Sequence, residues 1–170
     1  ITFEIDEKIG LLKAYFESEQ SPRKTLPGKL RRLALLPDLE RVKIESKQFS
    51  KKSLAELIIY ECHVRGMTQH HSSRVPGCQR GKFSGLRQKI KYLSQLGINV
   101  VELLPVFDFD ENENHLKNPE NQQILKNYWG YSPILWFALK GAYAENPLNQ
   151  QQEFKEFVKE CHFHQIEVWL

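Results

Sequence analysis

Two short apolar runs do most to fix what this 170-residue chain can fold into. The first covers residues 57–64, with Leu57, Ile58, Ile59, Tyr60, Cys62 and Val64, and the second covers residues 98–104. Each is rich in β-branched or aromatic residues, the pattern of a strand in a sheet covered on both sides. Between them, Phe83, Leu86, Ile90, Leu93 and Leu96 recur at helical spacing, with Arg87, Lys89, Lys91 and Gln95 mainly opposite. Gly97 follows at the position a helix C-cap favours. Strand, helix, strand is a βαβ unit with parallel strands. Parity along the first strand puts Ile59, Glu61, His63 and Arg65 on one face, and Ile58, Tyr60, Cys62 and Val64 on the other. Residues 66–82 read as a polar loop with Pro76, Gly77 and Gly81. Residues 105–150 read as a long excursion, and loops of that length are usually functional or disordered. Phe154, Phe157, Val158 and Cys161 then mark one face of a further helix, and residues 166–170 open a third strand.

The N-terminal third differs in charge. Residues 21–52 hold ten Lys or Arg against three acids, a net +7, whereas the remainder holds 14 basic and 18 acidic residues, a net −4. In residues 1–20, Ile5, Ile9, Leu12 and Phe16 fit one face of a helix, and Pro22, Pro27 and Gly28 punctuate it. Leu30, Leu33, Ala34 and Leu36 suggest a second short helix ahead of Pro37. Residues 1–53 are therefore expected as a mostly helical or irregular basic extension, and residues 54–170 as the α/β part. A basic stretch of this kind suggests a polyanion-binding role, but only Phe49 interrupts it as an aromatic and no nucleic-acid motif is present. A solvated face or linker is the preferred reading, and nucleic acid is disfavoured as a partner.

At 41% hydrophobic and 26% charged residues the chain has a globular composition. It has no apolar run of about 18 residues and no signal-peptide pattern, so no membrane partner is expected. The start at Ile1 suggests a partial or processed product. Three cysteines, Cys62, Cys78 and Cys161, without CxxC spacing argue against a disulfide framework or structural zinc. A cytoplasmic location, or a plastid stroma in a plant, fits that cysteine use. Cys62 reads as a buried free thiol.

Four blocks in order carry a family resemblance: residues 59–68 (Ile-Tyr-Glu-Cys-His-Val-Arg-Gly-Met-Thr), 81–86 (Gly-Lys-Phe-Ser-Gly-Leu), 96–106 (Leu-Gly-Ile-Asn-Val-Val-Glu-Leu-Leu-Pro-Val) and 127–132 (Asn-Tyr-Trp-Gly-Tyr-Ser). Together they resemble the catalytic barrel of the alpha-amylase superfamily, glycoside hydrolase family 13, and within it the isoamylase and glycogen-debranching group. The resemblance covers roughly residues 55–170 and implies an α/β fold, an incomplete (β/α)8 TIM barrel of strand, helix, strand, long loop, helix and strand. Residues 1–50 do not match the β-sandwich module that usually precedes such a barrel. The family's catalytic nucleophile, acid/base and transition-state stabiliser match no position here and would lie beyond Leu170, so no catalytic residue is assigned.

Among the residues present, the resemblance implies that Tyr131 stacks on the sugar at the cleavage subsite. An aromatic face suits the C–H face of a pyranose, and the phenol adds a hydrogen bond. Trp129 and Tyr128 belong to the same cluster, more as positioners of the loop. His63 and Arg65, at the end of the first strand, are expected in a hydrogen-bond network beneath the site. Glu61 and Glu102 sit on adjacent strands and invite comparison with the carboxyl pair of a retaining glycosidase. The resemblance matches them instead to internal barrel positions, paired with Arg65 or other polar groups. His70-His71 and His162-x-His164 lack further ligands, and Asp108, Asp110, Glu111 and Glu113 read as a solvated acidic loop more than a calcium site. No metal and no cofactor is expected.

The expectation is thus a piece of an isoamylase-type debranching enzyme that acts on α-1,6-glucosidic branches of glycogen or a related glucan, inactive by itself. The chain would be a trimmed, split or degenerate product, its partners an α-glucan and the remainder of the barrel. A non-enzymatic glucan-binding or partner-binding module is the first alternative, with Tyr128, Trp129 and Tyr131 as its platform. A polyanion binder through residues 21–52 is the second.

Overall fold

The computed structural model describes residues 52–170 in full and, as backbone, three strands before them: β1 (Thr2–Asp6), β2 (Leu11–Tyr15) and β3 (Arg31–Leu35). The chain divides into two compact units, Ile1–Ile44 and Glu45–Leu170. In the first, β1, β2 and β3 form an antiparallel sheet in that order, pairing Ile5 with Leu12 and Leu12 with Ala34. This corrects the expectation of helices there. The physical reason lies in the segments themselves: Thr2-Phe3-Glu4-Ile5-Asp6 alternates polar and apolar residues with the period of a strand. Ile9, Phe16 and most of the basic stretch 21–52 lie outside the described residues.

The second unit is built on a parallel sheet. Strands β4 (Ile59–Cys62), β5 (Val100–Leu103) and β8 (Glu167–Trp169) lie in the order β4-β5-β8, with Tyr60 beside Val101 and Val101 beside Val168. One face carries Cys62, Val101 and Leu103 into a core with Phe83, Leu86, Ile90 and Leu93, and with Phe157, Val158 and Cys161 from the long helix α4 (Gln150–Phe163). Burial pushes the Cys62 thiol up to about 12, so this free cysteine is an inert packing group.

Four expectations need correction. The first strand ends at Cys62, and Val64–Gln69 forms a helix, α1, in place of a strand end and loop. His63 and Arg65 therefore do not share a strand face. The helix between the two runs is two pieces, α2 (Phe83–Arg87) and α3 (Ile90–Gln95). The break comes where Gln88 and Lys89 donate to Gly85 and Leu86, three residues back, tightening the turn. Leu96, placed by periodicity on the apolar side, is 56% exposed at the C-cap of α3, although Ile90 and Leu93 of the same helix are fully buried. Finally, the sheet's other face is largely open: Ile59, Glu61 and Glu102 are exposed there, and of the β4 and β5 residues on that face only Val100 is buried.

The entries to β5 and β8 share one device. Gly97, at φ +89°, lets its own amide reach Ser94 and the Ile98 amide reach Leu93. Gln165, at φ +58°, does the same toward His162, with Ile166 reaching Cys161. Each is a Schellman ending whose apolar third residue turns the chain into the sheet. Asn99 fastens the sheet at the same end, accepting from the Ile58 amide at 2.8 Å and donating to the Glu56 carbonyl at 2.8 Å. The excursion is partly ordered as strand: β6 (Phe107–Phe109) pairs antiparallel with β7 (Pro133–Leu139), with two register shifts.

Helix α2 meets its neighbours backbone to backbone. A Cβ at Gly85 would fall 2.1 Å from the Gln79 carbonyl oxygen and 3.1 Å from Thr68 Oγ1, whereas one at Gly77 would meet nothing within 4 Å. Gly85→Ala is therefore expected to lower unfolding stability by about 1–3 kcal/mol or more, and Gly77→Ala to leave it nearly unchanged. Urea midpoints of the two variants check this pair.

Candidate functional site

The ends of β4 and β5 open onto a concavity lined by Glu61, Cys62, His63, Leu104, Trp129 and Tyr131. His63 is the hub of its wall. Its Nδ1 accepts from the Arg65 amide at 3.1 Å and the Gly66 amide at 3.0 Å, capping α1. With Nδ1 facing two donors, the ring proton sits on Nε2, which donates to the Tyr128 carbonyl at 2.9 Å. The Tyr143 hydroxyl oxygen lies 3.2 Å from the same nitrogen. The imidazole also stacks on the Tyr128 ring, with centroids 4.4 Å apart and planes 15° apart, and meets Trp129 edge-on at 5.9 Å.

Behind His63 lies a chain of charges. Arg65 donates to Glu111 at 2.7 Å and stands over the Tyr143 ring at 5.5 Å. Lys140 Nζ donates to the Phe109 carbonyl at 2.6 Å and lies 3.6 Å from Asp108 and 3.8 Å from Glu111. Burial opposes the charge on Glu111, but Arg65, Lys140 and Lys126 outweigh it and hold the carboxyl below its ordinary value of 4.5. Burial likewise opposes the Arg65 charge, and Glu111 overcomes it, so the guanidinium is held more firmly protonated. Thus Arg65 pairs with Glu111, not with Glu61 or Glu102 as expected. Those two glutamates stand side by side, in register, on the open sheet face.

A clasp of hydrogen bonds shapes the loop that bears the aromatics. The Asn127 amide donates to the Glu111 carbonyl at 2.9 Å. The Asn127 side chain donates to Glu113 at 2.6 Å and Ser132 Oγ at 3.0 Å, and accepts from the Gly130 amide at 3.0 Å. Ser132 also donates to Glu113. Gly130 has φ +76°, and a Cβ there would fall 2.6 Å from the Phe109 ring, so glycine is required twice over. The outcome is a ridge: Trp129 is 55% and Tyr131 68% exposed, while Tyr128, 38% exposed, lies back against His63.

The structure brings Tyr128, Trp129, Tyr131, His63 and Arg65 into one region. Leaving Asp110 aside, the acidic loop is not simply solvated: Asp108 and Glu111 face Lys140, and Glu113 holds the clasp. Among the described residues no group of three or more His, Cys, Asp or Glu is arranged to hold a metal ion. His70 caps a short turn through Ser72, and His164 lies 3.2 Å from Glu160. Tyr143 and Lys140 were not anticipated, for they reach the site from the far end of the excursion and carry no local sequence signal. Among the described residues no helix is long and apolar enough to cross a membrane.

No protein-family model matches the chain. It is 44% identical over 120 residues to chloroplastic isoamylase 3 of Oryza sativa subsp. japonica, covering 68% of this chain and 15% of that protein. It is also 44% identical over 120 residues to the glycogen operon protein GlgX homolog of Haemophilus influenzae, covering 68% and 17%. A glycogen debranching enzyme of Klebsiella pneumoniae is 42% identical over 118 residues, again spanning 17% of that protein. Among solved structures, the pullulanase of an Anoxybacillus species superposes with a TM-score of 0.63 at 28% identity, over 80% of this chain and 20% of that one. Its complex with maltotetraose superposes with a TM-score of 0.62. The chain thus spans about a sixth of the length of the curated relatives it matches.

His63 gives the site a pH signature. Burial, with Arg65 nearby, pushes its pKa below the ordinary 6.5, against the opposing pull of the Tyr128 carbonyl. Below that value the unfolded chain binds a proton that the folded chain resists, so stability falls as pH falls from 6.5 through the lowered folded value. His63→Asn keeps an acceptor for the helix cap and removes the titration. Urea unfolding from about pH 7 to about pH 5 is expected to show a smaller stability loss in His63→Asn than in the wild type.

Proposed function

We propose a role that follows from the family: the chain belongs to the isoamylase and glycogen-debranching group of the alpha-amylase superfamily, glycoside hydrolase family 13, and its aromatic ridge is a wall that binds α-glucan. The observation that carries this reading is the exposure of Tyr131 and Trp129 on a loop that is otherwise pinned on every side. Exposing two large aromatic rings costs hydration, and a soluble loop has no packing reason to do so. A pyranose offers what the ridge lacks, an apolar C–H face for the ring and hydroxyls for the phenol. Tyr131 is the principal contact, Trp129 a second, and Tyr128 sets the loop from behind. His63 and Arg65 act beneath them as positioning residues.

The three parallel strands with their helices are, in this reading, the beginning of a (β/α)8 barrel formed by residues 54–170 and further strands, with residues 1–53 a separate extension. The ridge then stands at the C-terminal ends of the strands, where such barrels place their sites. Hydrolysis of α-1,6 branches, with retention through a covalent glycosyl–enzyme intermediate, belongs to the whole protein. To the present stretch we assign binding, without cofactor or metal, in a cytoplasmic or plastid setting.

The test is migration of the 170-residue chain through native gels containing glycogen. Retardation that rises with glycogen concentration is expected, and Tyr131→Ala should weaken it on the order of tenfold, the worth of one stacked ring. Migration indifferent to glycogen would remove the glucan reading.

A further inference from the structure

The forty residues from Cys62 to Val101 hold seven Lys or Arg and no Asp or Glu, whereas residues 102–170 hold eleven acids against five Lys or Arg. Folding does not neutralise this surplus evenly. Arg65 is paired with Glu111 and Arg87 with Glu156. Three of the other cations converge on one surface turn. Lys89, at the start of α3, donates through Nζ to the Ser73 carbonyl, and Arg80 donates through Nε to the Val75 carbonyl at 2.9 Å. The residue between those two carbonyls is Arg74, which is exposed. Among the described residues no carboxylate lies within ion-pair distance of any of the three. We propose that Arg74, Arg80 and Lys89 form a binding site for a phosphate group.

The anchored side chains keep donors to spare. The Lys89 ammonium has three N–H groups and uses one on Ser73, while Arg80 uses Nε and keeps the fork of its two terminal nitrogens. A planar fork with an ammonium beside it matches a tetrahedral oxyanion, which takes two parallel N–H bonds from the guanidinium and a third from the lysine. Because both side chains are already tied to backbone, little rotamer freedom is left to lose on binding. Arg74 adds the third charge from a left-handed turn, φ +58°, where its amide donates to the His71 carbonyl at 3.1 Å. Glycine takes that conformation at the lowest steric cost, yet a cation stands there. Like charges gathered without a counterion repel one another, and a bound dianion relieves that repulsion.

The surroundings narrow the ligand. Phe83 is the only Phe, Tyr or Trp between residues 61 and 91, and it is fully buried, so this stretch offers no ring on which a nucleobase stacks. The cluster is also compact, since its anchors are the two carbonyls that flank a single residue. Glu145 marks one border, accepting from Gln79, the neighbour of Arg80, at 3.1 Å, and a carboxylate there disfavours an anionic polymer that runs on past Arg80. None of the three cations lines a concavity beside Trp129 and Tyr131, so the site is separate from the ridge and does not rest on the glucan reading. Free phosphate and a phosphate ester of a sugar present the same oxygens to it.

The experiment is equilibrium dialysis of the full 170-residue chain against inorganic phosphate and, separately, glucose 6-phosphate, at constant ionic strength and neutral pH. Saturable binding at a single site is expected. Arg80→Gln and Arg74→Gln should each weaken it on the order of tenfold, the worth of one charge-assisted hydrogen bond. Arg80→Lys, which keeps the charge and loses the fork, should not restore full affinity. Lys91→Gln removes an equal charge two residues from Lys89, on another side of the helix, and should leave binding within about twofold. Urea midpoints report on folding, and Arg74→Gln guards against a folding defect in Arg80→Gln, since the Arg74 side chain carries no hydrogen bond or ion pair among the described residues. Tighter binding of inorganic phosphate identifies the free ion as the ligand, and tighter binding of glucose 6-phosphate a phosphorylated sugar; either supports the site. Binding of neither probe, unchanged binding in the arginine variants, or an equal loss in Lys91→Gln overturns it. A chain that binds a single-stranded oligonucleotide but neither phosphate probe overturns it too, in favour of a polyanion surface.

Discussion

The imidazole of His63 is the contact on which the rest of the site depends. One nitrogen accepts from two backbone amides and thereby starts helix α1; the other donates to the Tyr128 carbonyl and thereby fixes the aromatic loop. The two jobs demand opposite roles of the two nitrogens, so the neutral ring with its proton on Nε2 is the form that does both. A doubly protonated ring would set an N–H against the Arg65 and Gly66 amides. The strand end, the helix and a loop 65 residues away are thus joined through one side chain in one protonation state.

The charges behind His63 explain why the loop holds its form. Glu111 accepts from Arg65 through its carboxylate and from Asn127 through its carbonyl, so the ion pair and the clasp share one residue. Lys140 closes the group from the far end of the excursion, with its stem buried and its ammonium at the Phe109 carbonyl and over the Phe109 ring. Partly buried charges need such mutual satisfaction, since removing one partner leaves the other in a poor environment. The same Phe109 ring forbids any side chain at Gly130. Packing and electrostatics therefore converge on the turn that points Trp129 and Tyr131 outward.

Much of the scaffold was legible in the sequence, where period and punctuation agreed. Phe154, Phe157, Val158 and Cys161 mark the buried face of α4, and Gly97 ends α3 with the expected positive φ. The failures have physical causes. Ile5 and Leu12, read as one helical face, belong to two different strands. Helix α1 was hidden because histidine is not among the usual N-cap residues and Gly66 disfavours a helix interior. The break between α2 and α3 was hidden too, for Gln88 and Lys89 are ordinary helix formers. Within the site, the Asn127–Ser132 block announced the aromatics, but the roles of Tyr143 and Lys140 exist only once the chain has folded over them. Register placed Glu61 beside Glu102 as adjacent strands suggested, whereas the partner of Arg65 came from the excursion, where no strand pattern points.

The ridge matters above all as a place where sugar rests. The most direct measurement is a crystal structure of the chain grown with maltotetraose. A glucose ring is expected to lie flat on Tyr131, with His63 still bonded to the Tyr128 carbonyl and the Asn127 clasp unchanged. Maltotetraose bound elsewhere on the chain, with Trp129 and Tyr131 bare, would contradict it.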